Sequence, residues 1–307
     1  MTLLPSPQQL RYLVALAESR HFGRAAHACS VTQSTLSAGL LALERQLDAA
    51  ILDRDAGRHV VFTPLGLELV DRARTALSAL AAVTEAALAA REPMGGPLRL
   101  GVIPTIGPFL LPRLMPTLRS AFPRLKLYLR EDTTANLADR LSANRLDLLL
   151  LAVPCDCAGA EAMPVARDAF MVALPPNHRL ADEEQIAPAA LATERLLLLE
   201  DGHCLRDQAL AVCGLLADGR GGDHDAFAAT SLHTLVQMVA SGLGVTLLPR
   251  LAVAAGIVEG TGLLLRPLAG TGAWRTLGLA WRPNAPRAAD YRALGSHLVD
   301  TCRDALQ

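Results

Sequence analysis

The chain has 307 residues, 51% hydrophobic and 19% charged, with a formal net charge of −1. That length suits two or three domains, and the composition excludes disordered and fibrous classes. No apolar run approaches the roughly 20 residues that span a bilayer, and MTLLPSPQQLRYLVALAE lacks the basic start of a signal peptide.

Residues 8–18 carry Leu10, Leu13, Val14 and Ala17 at helical spacing and predict a first helix. Residues 24–29 predict a short second helix. Ser30, Val31 and Thr32 make a tight turn with Thr32 as N-cap, and residues 33–47 predict a third helix with Leu36, Leu40, Leu43 and Leu47 inward. Two short helices across a three-residue turn form a helix-turn-helix, which lays the start of its second helix in the major groove. Gln33, Ser34, Thr35 and Ser37 stand at that start and are the DNA-reading candidates. A plain three-helix bundle has the same pattern.

Residues 51–54 and 59–63 predict wing strands around Asp55-Ala56-Gly57, with Arg54 and Arg58 as phosphate contacts. Pro64 follows the N-cap Thr63 and opens a helix of about 40 Å. Its Leu65, Leu69, Ala73, Ala76, Leu80, Val83 and Ala87 recur as a coiled-coil seam. Within residues 1–90, eight arginines meet eight acidic residues. Affinity for DNA rests heavily on phosphate neutralisation, so positive charge must gather on one face.

From residue 98 strands and helices alternate. Strands are predicted at 98–103, 126–131, 146–152, 170–174, 196–199, 226–229, 245–248 and 277–281, and helices at 107–122, 136–144 and 288–305. This is an α/β pattern with mainly parallel strands. Ligand sites in such sheets lie off the carboxyl ends of strands, where Ile103-Pro104-Thr105 and residues 200–204 fall.

The six cysteines are too few for a disulfide framework and point to a reducing, cytoplasmic compartment. Cys204 follows His203 and precedes Arg206, cationic neighbours that favour a reactive thiolate. Cys213 lies nine residues on, past good helix formers. A helix between them would separate the pair by roughly 13 Å, whereas a disulfide needs Cα atoms within about 7 Å. Joining them would require that segment to come apart. The pair is either such a switch or two unrelated cysteines on one helix. Cys155-Asp156-Cys157 is a metal-ligand candidate, but no further Cys or His cluster completes four ligands, so it reads as an inert loop. Cys29 reads as buried in the helix-turn-helix core, and Cys302 has no evident partner.

The stretches RAAHACSVTQSTLS and SGLGVTLLP, with the long helix between domains, closely resemble the LysR-type transcriptional regulators over the whole length. LEDGHCLRDQALAVC, GVIPTIGPFLLP and ATSLHTLVQMVASGLGVTLLP resemble the peroxide-sensing members of that family. The resemblance implies an all-α winged helix-turn-helix over 1–63 and a linker and dimerisation helix over 64–92. It also implies a two-lobed, periplasmic-binding-protein-like α/β effector domain over 93–307. Lobe I would comprise 98–165 and 268–307, and lobe II 166–267. Cys204 would be oxidised by hydrogen peroxide to a sulfenic acid and joined to Cys213 in a disulfide. Thr105, Thr134 and His203 would surround the peroxide, Arg275 of WRTLG would favour the thiolate, and Arg206 would assist.

The resemblance further implies promoter DNA, RNA polymerase, a homodimer or homotetramer and a thiol reductant as partners. It implies no cofactor, no metal, no membrane and no enzymatic turnover. The chain departs from the family at Ser34, often proline, and at Leu41 and Ala42, where similar chains often carry a basic residue. Asp53 and Asp55 make the wing acidic, and Gly219-Arg220-Gly221-Gly222 has an insertion-like character. A sensor of a small metabolite and a thiol peroxidase are the competing readings.

Overall fold

The computed structural model describes residues 4–53, 60–91, 93–155, 157, 159–214 and 228–306. The chain divides into two compact units, Met1–Ala87 and Leu88–Gln307.

In the first unit, α1 (Pro7–Ser19) starts at a capping box in which the Ser6 hydroxyl accepts from the Gln9 amide and the Gln9 side chain accepts from the Ser6 amide. It ends at Arg20 in the left-handed region. Helix α2 (Phe22–Ala28) leads through Ser30, also left-handed at φ 57°, to α3 (Gln33–Leu47), capped by Thr32. Leu36, Leu40 and Leu43 face inward against Tyr12, Leu13 and Leu16. Gly39 has no room for a side chain because the Tyr12 ring covers it. Among the described residues, the expected wing strands meet in one antiparallel bridge, Leu52 with Phe62. Arg54 and Arg58 lie outside the described residues. Helix α4 (Pro64–Arg91) has the expected span, and Leu65, Leu80 and Val83 of its seam are exposed. Cys29 is half-buried rather than buried, since it ends α2 at the surface with its sulfur 3.8 Å from the Arg11 carbonyl.

The second unit runs β1 (Gly96–Val102), α5 (Gly107–Ala121), β2 (Leu125–Glu131), α6 (Thr134–Ser142), β3 (Leu148–Val153) and β4 (Glu161–Leu174). It continues α7 (Pro188–Leu191), β5 (Leu198–Leu199), α8 (Cys204–Val212), β6 (Ala228–Ala229), α9 (Leu232–Ala240), β7 (Thr246–Pro249) and α10 (Arg250–Ala254). Strands β8 (Leu264–Pro267) and β9 (Trp274–Trp281) and helix α11 (Ala288–Leu306) complete it. The main sheet has the order β2-β1-β3-β9-β4-β7, with β8 also on β4, and β5 pairs β6 separately.

The expectation of mainly parallel strands is corrected. β1–β2, β1–β3 and β5–β6 are parallel, but β3–β9, β4–β7, β4–β8 and β4–β9 are antiparallel. The cause is β4, a 14-residue strand shared by two lobes. Its first part, through Ala169, pairs β9; from Phe170 it pairs β7 and β8. One lobe holds β1, β2, β3, α5 and α6, and the other holds β5 to β8 with α8 to α10. The crossing strands bring the end of β1, the start of α6 and the start of α8 to one place.

Candidate functional site

The recess at that meeting point is lined by Ile103, Pro104, Thr105, Thr133, Thr134, Gly202, His203 and Cys204, packed closely enough to leave no room for a water molecule. Each polar group arrives from an element end. Thr105 follows β1, whose last residues are fixed by the Ile103 amide donating to the Leu150 carbonyl. Thr133 and Thr134 are the N-cap and first residue of α6. His203 is the N-cap of α8 and Cys204 its first residue. The positive end of the α8 dipole therefore lies at the sulfur. Gly202 has φ 91°, a backbone state in which a side chain is strained.

Thr105, Thr134, His203 and Cys204, four of the residues expected at this site, are thus brought together. Arg275 and Arg206 do not line the recess. Arg275 is fully buried and reaches the recess through Thr105. Its Nη1 donates to Thr105 Oγ1 at 2.7 Å and its Nη2 to the Thr105 carbonyl at 2.8 Å. Its Nε and Nη2 hold Asp168 Oδ2 at 3.0 and 2.9 Å, both side chains fully buried. Asp168 Oδ1 also accepts from the Leu251 amide. Since Thr105 Oγ1 accepts from a guanidinium, its own proton is free to be donated into the recess. Arg275 therefore orients a hydroxyl, and Asp168 neutralises its charge. Arg206 ties α8 to its surroundings instead, with Nε 2.9 Å from Asp201 and Nη1 donating to the Leu199 carbonyl.

The sequence reading missed Thr133 and Asp168. A charged residue inside EAMPVARDAFMVAL was the available signal for Asp168, but the strand predicted there began only at residue 170.

Thr134 Oγ1 is buried and has no hydrogen-bond partner. A buried hydroxyl without a partner costs free energy, and Thr134 is among the residues that line the recess. A second hollow of about 260 Å³ adjoins, lined by Thr105, Phe109, Glu131, His203, Ser231 and His233 among others. His233 stacks on Phe109 with ring centroids 5.7 Å apart.

Helix α8 joins the two cysteines. Cys204 is half-buried and free; Cys213 caps the other end, buried and free. An offset of nine positions along the helix separates them by about 13 Å along the axis. Leu205, Ala209 and Leu210 bury the inner face in the core shared with Leu196 to Leu199. Burial pushes the Cys213 thiol up to about 11, so it stays protonated while α8 is packed. Cys302 is fully buried, and burial with the nearby Asp168 carboxylate pushes it up to about 12.

The inert-loop reading of 155–157 is corrected: Cys155 and Cys157 are joined in a disulfide with Cα atoms 5.3 Å apart. Among the described residues no group of three or more His, Cys, Asp or Glu is arranged to hold a metal. None of their helices is long and apolar enough to cross a membrane.

At the DNA-reading end of α3, Gln33, Ser34 and Thr35 are exposed and Ser37 is half-buried. The Ser34 and Thr35 hydroxyls lie 2.9 and 2.8 Å from Thr32 Oγ1, so both share in the helix cap.

Two family models match: the bacterial regulatory helix-turn-helix protein, lysR family, over residues 7–67, and the LysR substrate binding domain over residues 91–303. The chain is 43% identical over 288 residues to the DNA-binding transcriptional dual regulator OxyR of Escherichia coli K12, covering 94% of this chain and 92% of that one. It is 42% identical over 300 residues to a probable hydrogen peroxide-inducible genes activator of Streptomyces viridosporus, covering 98% and 95%. Among solved structures, a full-length cysteine-to-aspartate variant of OxyR from Pseudomonas aeruginosa matches with a TM-score of 0.76 at 34% identity, over 96% of this chain and 95% of that one. A hydrogen-peroxide-bound cysteine-to-serine mutant of Corynebacterium glutamicum OxyR matches with a TM-score of 0.66 at 32% identity, over 100% and 95%. With both family models matched in order and full-length relatives above 40% identity, the chain belongs to the LysR family of bacterial helix-turn-helix regulators.

Proposed function

We propose that the protein is a peroxide-sensing transcriptional regulator that controls antioxidant genes through the redox state of Cys204 and Cys213. One observation carries this reading. A half-buried cysteine opens a helix inside a tight recess lined by three threonines and a histidine, and a second cysteine closes the same helix. Ligand pockets for metabolites run to about 300–1,000 Å³; the recess at Cys204 has no room for even a water molecule as it stands, and the neighbouring hollow of about 260 Å³ falls below that range. Hydrogen peroxide, with two heavy atoms, asks for only a small outward shift of this lining.

In the first step the Cys204 thiolate attacks one peroxide oxygen. The O–O bond breaks, the sulfur becomes a sulfenic acid, and the departing hydroxide takes a proton to leave as water. Thr105 and Thr134 hydroxyls orient the two oxygens, and His203 lines the same recess. In the second step the Cys213 sulfur attacks Cys204, the S–O bond breaks and a second water leaves. The product is the disulfide, and α8 must unwind to allow it. A cellular dithiol then reverses the change. A thiol peroxidase would run the same cycle; the helix-turn-helix unit favours a sensor, and peroxide consumption with a thiol reductant at many fast turnovers per protein would favour the enzyme.

The assembly follows from the first unit. A groove of about 680 Å³ runs along Leu10, Leu13, Leu43, Leu69, Leu80 and Val83, with an exposed apolar seam on α4. This supports a dimer through α4; the proposal adds pairing to a tetramer, a cytoplasmic location, Gln33, Ser34, Thr35 and Ser37 reading promoter DNA, and Arg54 and Arg58 on its phosphates. RNA polymerase is the downstream partner. The test is footprinting on DNA upstream of the protein's own gene. Peroxide should change the protected span for the wild type and not for Cys204→Ser. A span that ignores peroxide in both would overturn the reading.

A further inference from the structure

Residues 155–157 have no part in that cycle, yet they carry the disulfide found among the described residues. A disulfide stabilises a fold in proportion to the logarithm of the loop it closes. This one closes three residues, the least useful staple available, while Cys29, Cys204, Cys213 and Cys302 remain free thiols. A scaffold role explains neither fact.

Reactivity does. The Cα separation of 5.3 Å already lies in the disulfide range. The bond can therefore form and break with little backbone movement, unlike the Cys204–Cys213 bond, which needs a helix to unwind. The two sulfurs are also unequal. Cys155 is half-buried, whereas Cys157 is 7% exposed and packs in the core of the second unit. Thiol–disulfide exchange depends on access to the attacked sulfur, so an incoming thiolate meets Cys155.

We propose that Cys155 and Cys157 form a second thiol–disulfide couple that exchanges electrons with external dithiols and operates separately from Cys204 and Cys213. The dithiol's thiolate attacks Cys155 Sγ, the Cys155–Cys157 bond breaks, and Cys157 leaves as a thiolate and takes up a proton. The dithiol's second thiol then attacks its own sulfur in the mixed disulfide and releases Cys155. The dithiol is oxidised to a disulfide and the protein pair is reduced to two thiols. The reverse reaction consumes a disulfide of the same class. The couple thus senses the thiol pool, whereas the α8 recess senses peroxide.

The test uses the full-length chain carrying Cys204→Ser and Cys213→Ser, which silences the peroxide switch. It is equilibrated with mixtures of reduced and oxidised dithiothreitol, quenched with N-ethylmaleimide, and the peptide containing both residues is weighed. Cys155 and Cys157 should label together in one two-electron transition, with the same midpoint approached from either side. Two labels at every ratio, or none at any ratio until the protein is denatured, would overturn the proposal. Separately, a Cys155→Ser, Cys157→Ser variant with the α8 cysteines intact should keep its peroxide-driven change of footprint. Loss of that change would refute the claim that the couples are separate.

Discussion

Replacing Thr134 by valine should make the protein more stable and less reactive at once. Valine keeps the β-branched shape at the first position of α6 and deletes only the hydroxyl. That hydroxyl is buried without a partner, and a buried unsatisfied polar group costs about 1–3 kcal/mol. Removing it should raise stability by about 1 kcal/mol, or roughly 2–4 °C in the melting midpoint for a unit of this size. The same hydroxyl faces the recess of Cys204. If it binds a peroxide oxygen that gains charge as the O–O bond breaks, its loss should resemble loss of one preorganised donor, which slows reactions about 10²-fold or more. That corresponds to about 2.7 kcal/mol in the barrier. Thermal denaturation of the reduced protein measures the first effect, and dimedone trapping of the Cys204 sulfenic acid over time measures the second. A rate within about threefold of wild type would refute the assignment of Thr134 to peroxide. A drop in stability would show that the hydroxyl supports the fold.

The Asp168–Arg275 pair has both side chains fully buried, so Asp168→Ala should cost about 3–5 kcal/mol by leaving a buried guanidinium unpaired. Asp168→Leu combined with Arg275→Met should cost less in stability than either single change by urea denaturation, yet slow Cys204 oxidation because Thr105 loses its anchor. Equal or greater instability of the double variant would contradict this. The Cys213 thiol, pushed up to about 11 from an ordinary 9.0 by burial, favours its neutral form when packed. Its contribution to stability should be intact below pH 9 and be lost as pH rises toward 11. Cys213→Ala should therefore lose less stability than wild type between pH 9 and 10.5 in melting experiments; parallel losses would refute the cause given.

The helices of the first unit were legible in the sequence because local signals decide them. Thr32, Thr63-Pro64 and the leucine stripe of α3 mark ends and faces without tertiary help. The bounds of α3 and α4 follow directly. Strand direction was not legible. The apolar runs of β3 and β9 look alike whether parallel or antiparallel, and β4 owes its length to two different partners along its course. Strand β8, with Arg266 and Pro267, offered no alternation to read.

The site was legible where chemistry clusters in sequence, as in His203-Cys204, and at strand ends such as Thr105. Asp168 was invisible because its role exists only through Arg275, 107 residues away. The Cys155–Cys157 bond went unread because a C-x-C spacing is equally compatible with a loop, a ligand pair or a disulfide.

The central claim is that oxidation of Cys204 is transmitted by unwinding α8. Hydrogen exchange across residues 203–214, in the reduced protein and in the disulfide form verified by mass spectrometry, tests it most directly. In the reduced form the amides of Arg206 and Cys213 are held by the carbonyls of His203 and Ala209, and the inner face of the helix is buried. Protection there should be strong in the reduced protein and largely lost in the disulfide form, returning on reduction. Equal protection in both forms, with the Cys204–Cys213 bond present, would contradict the account.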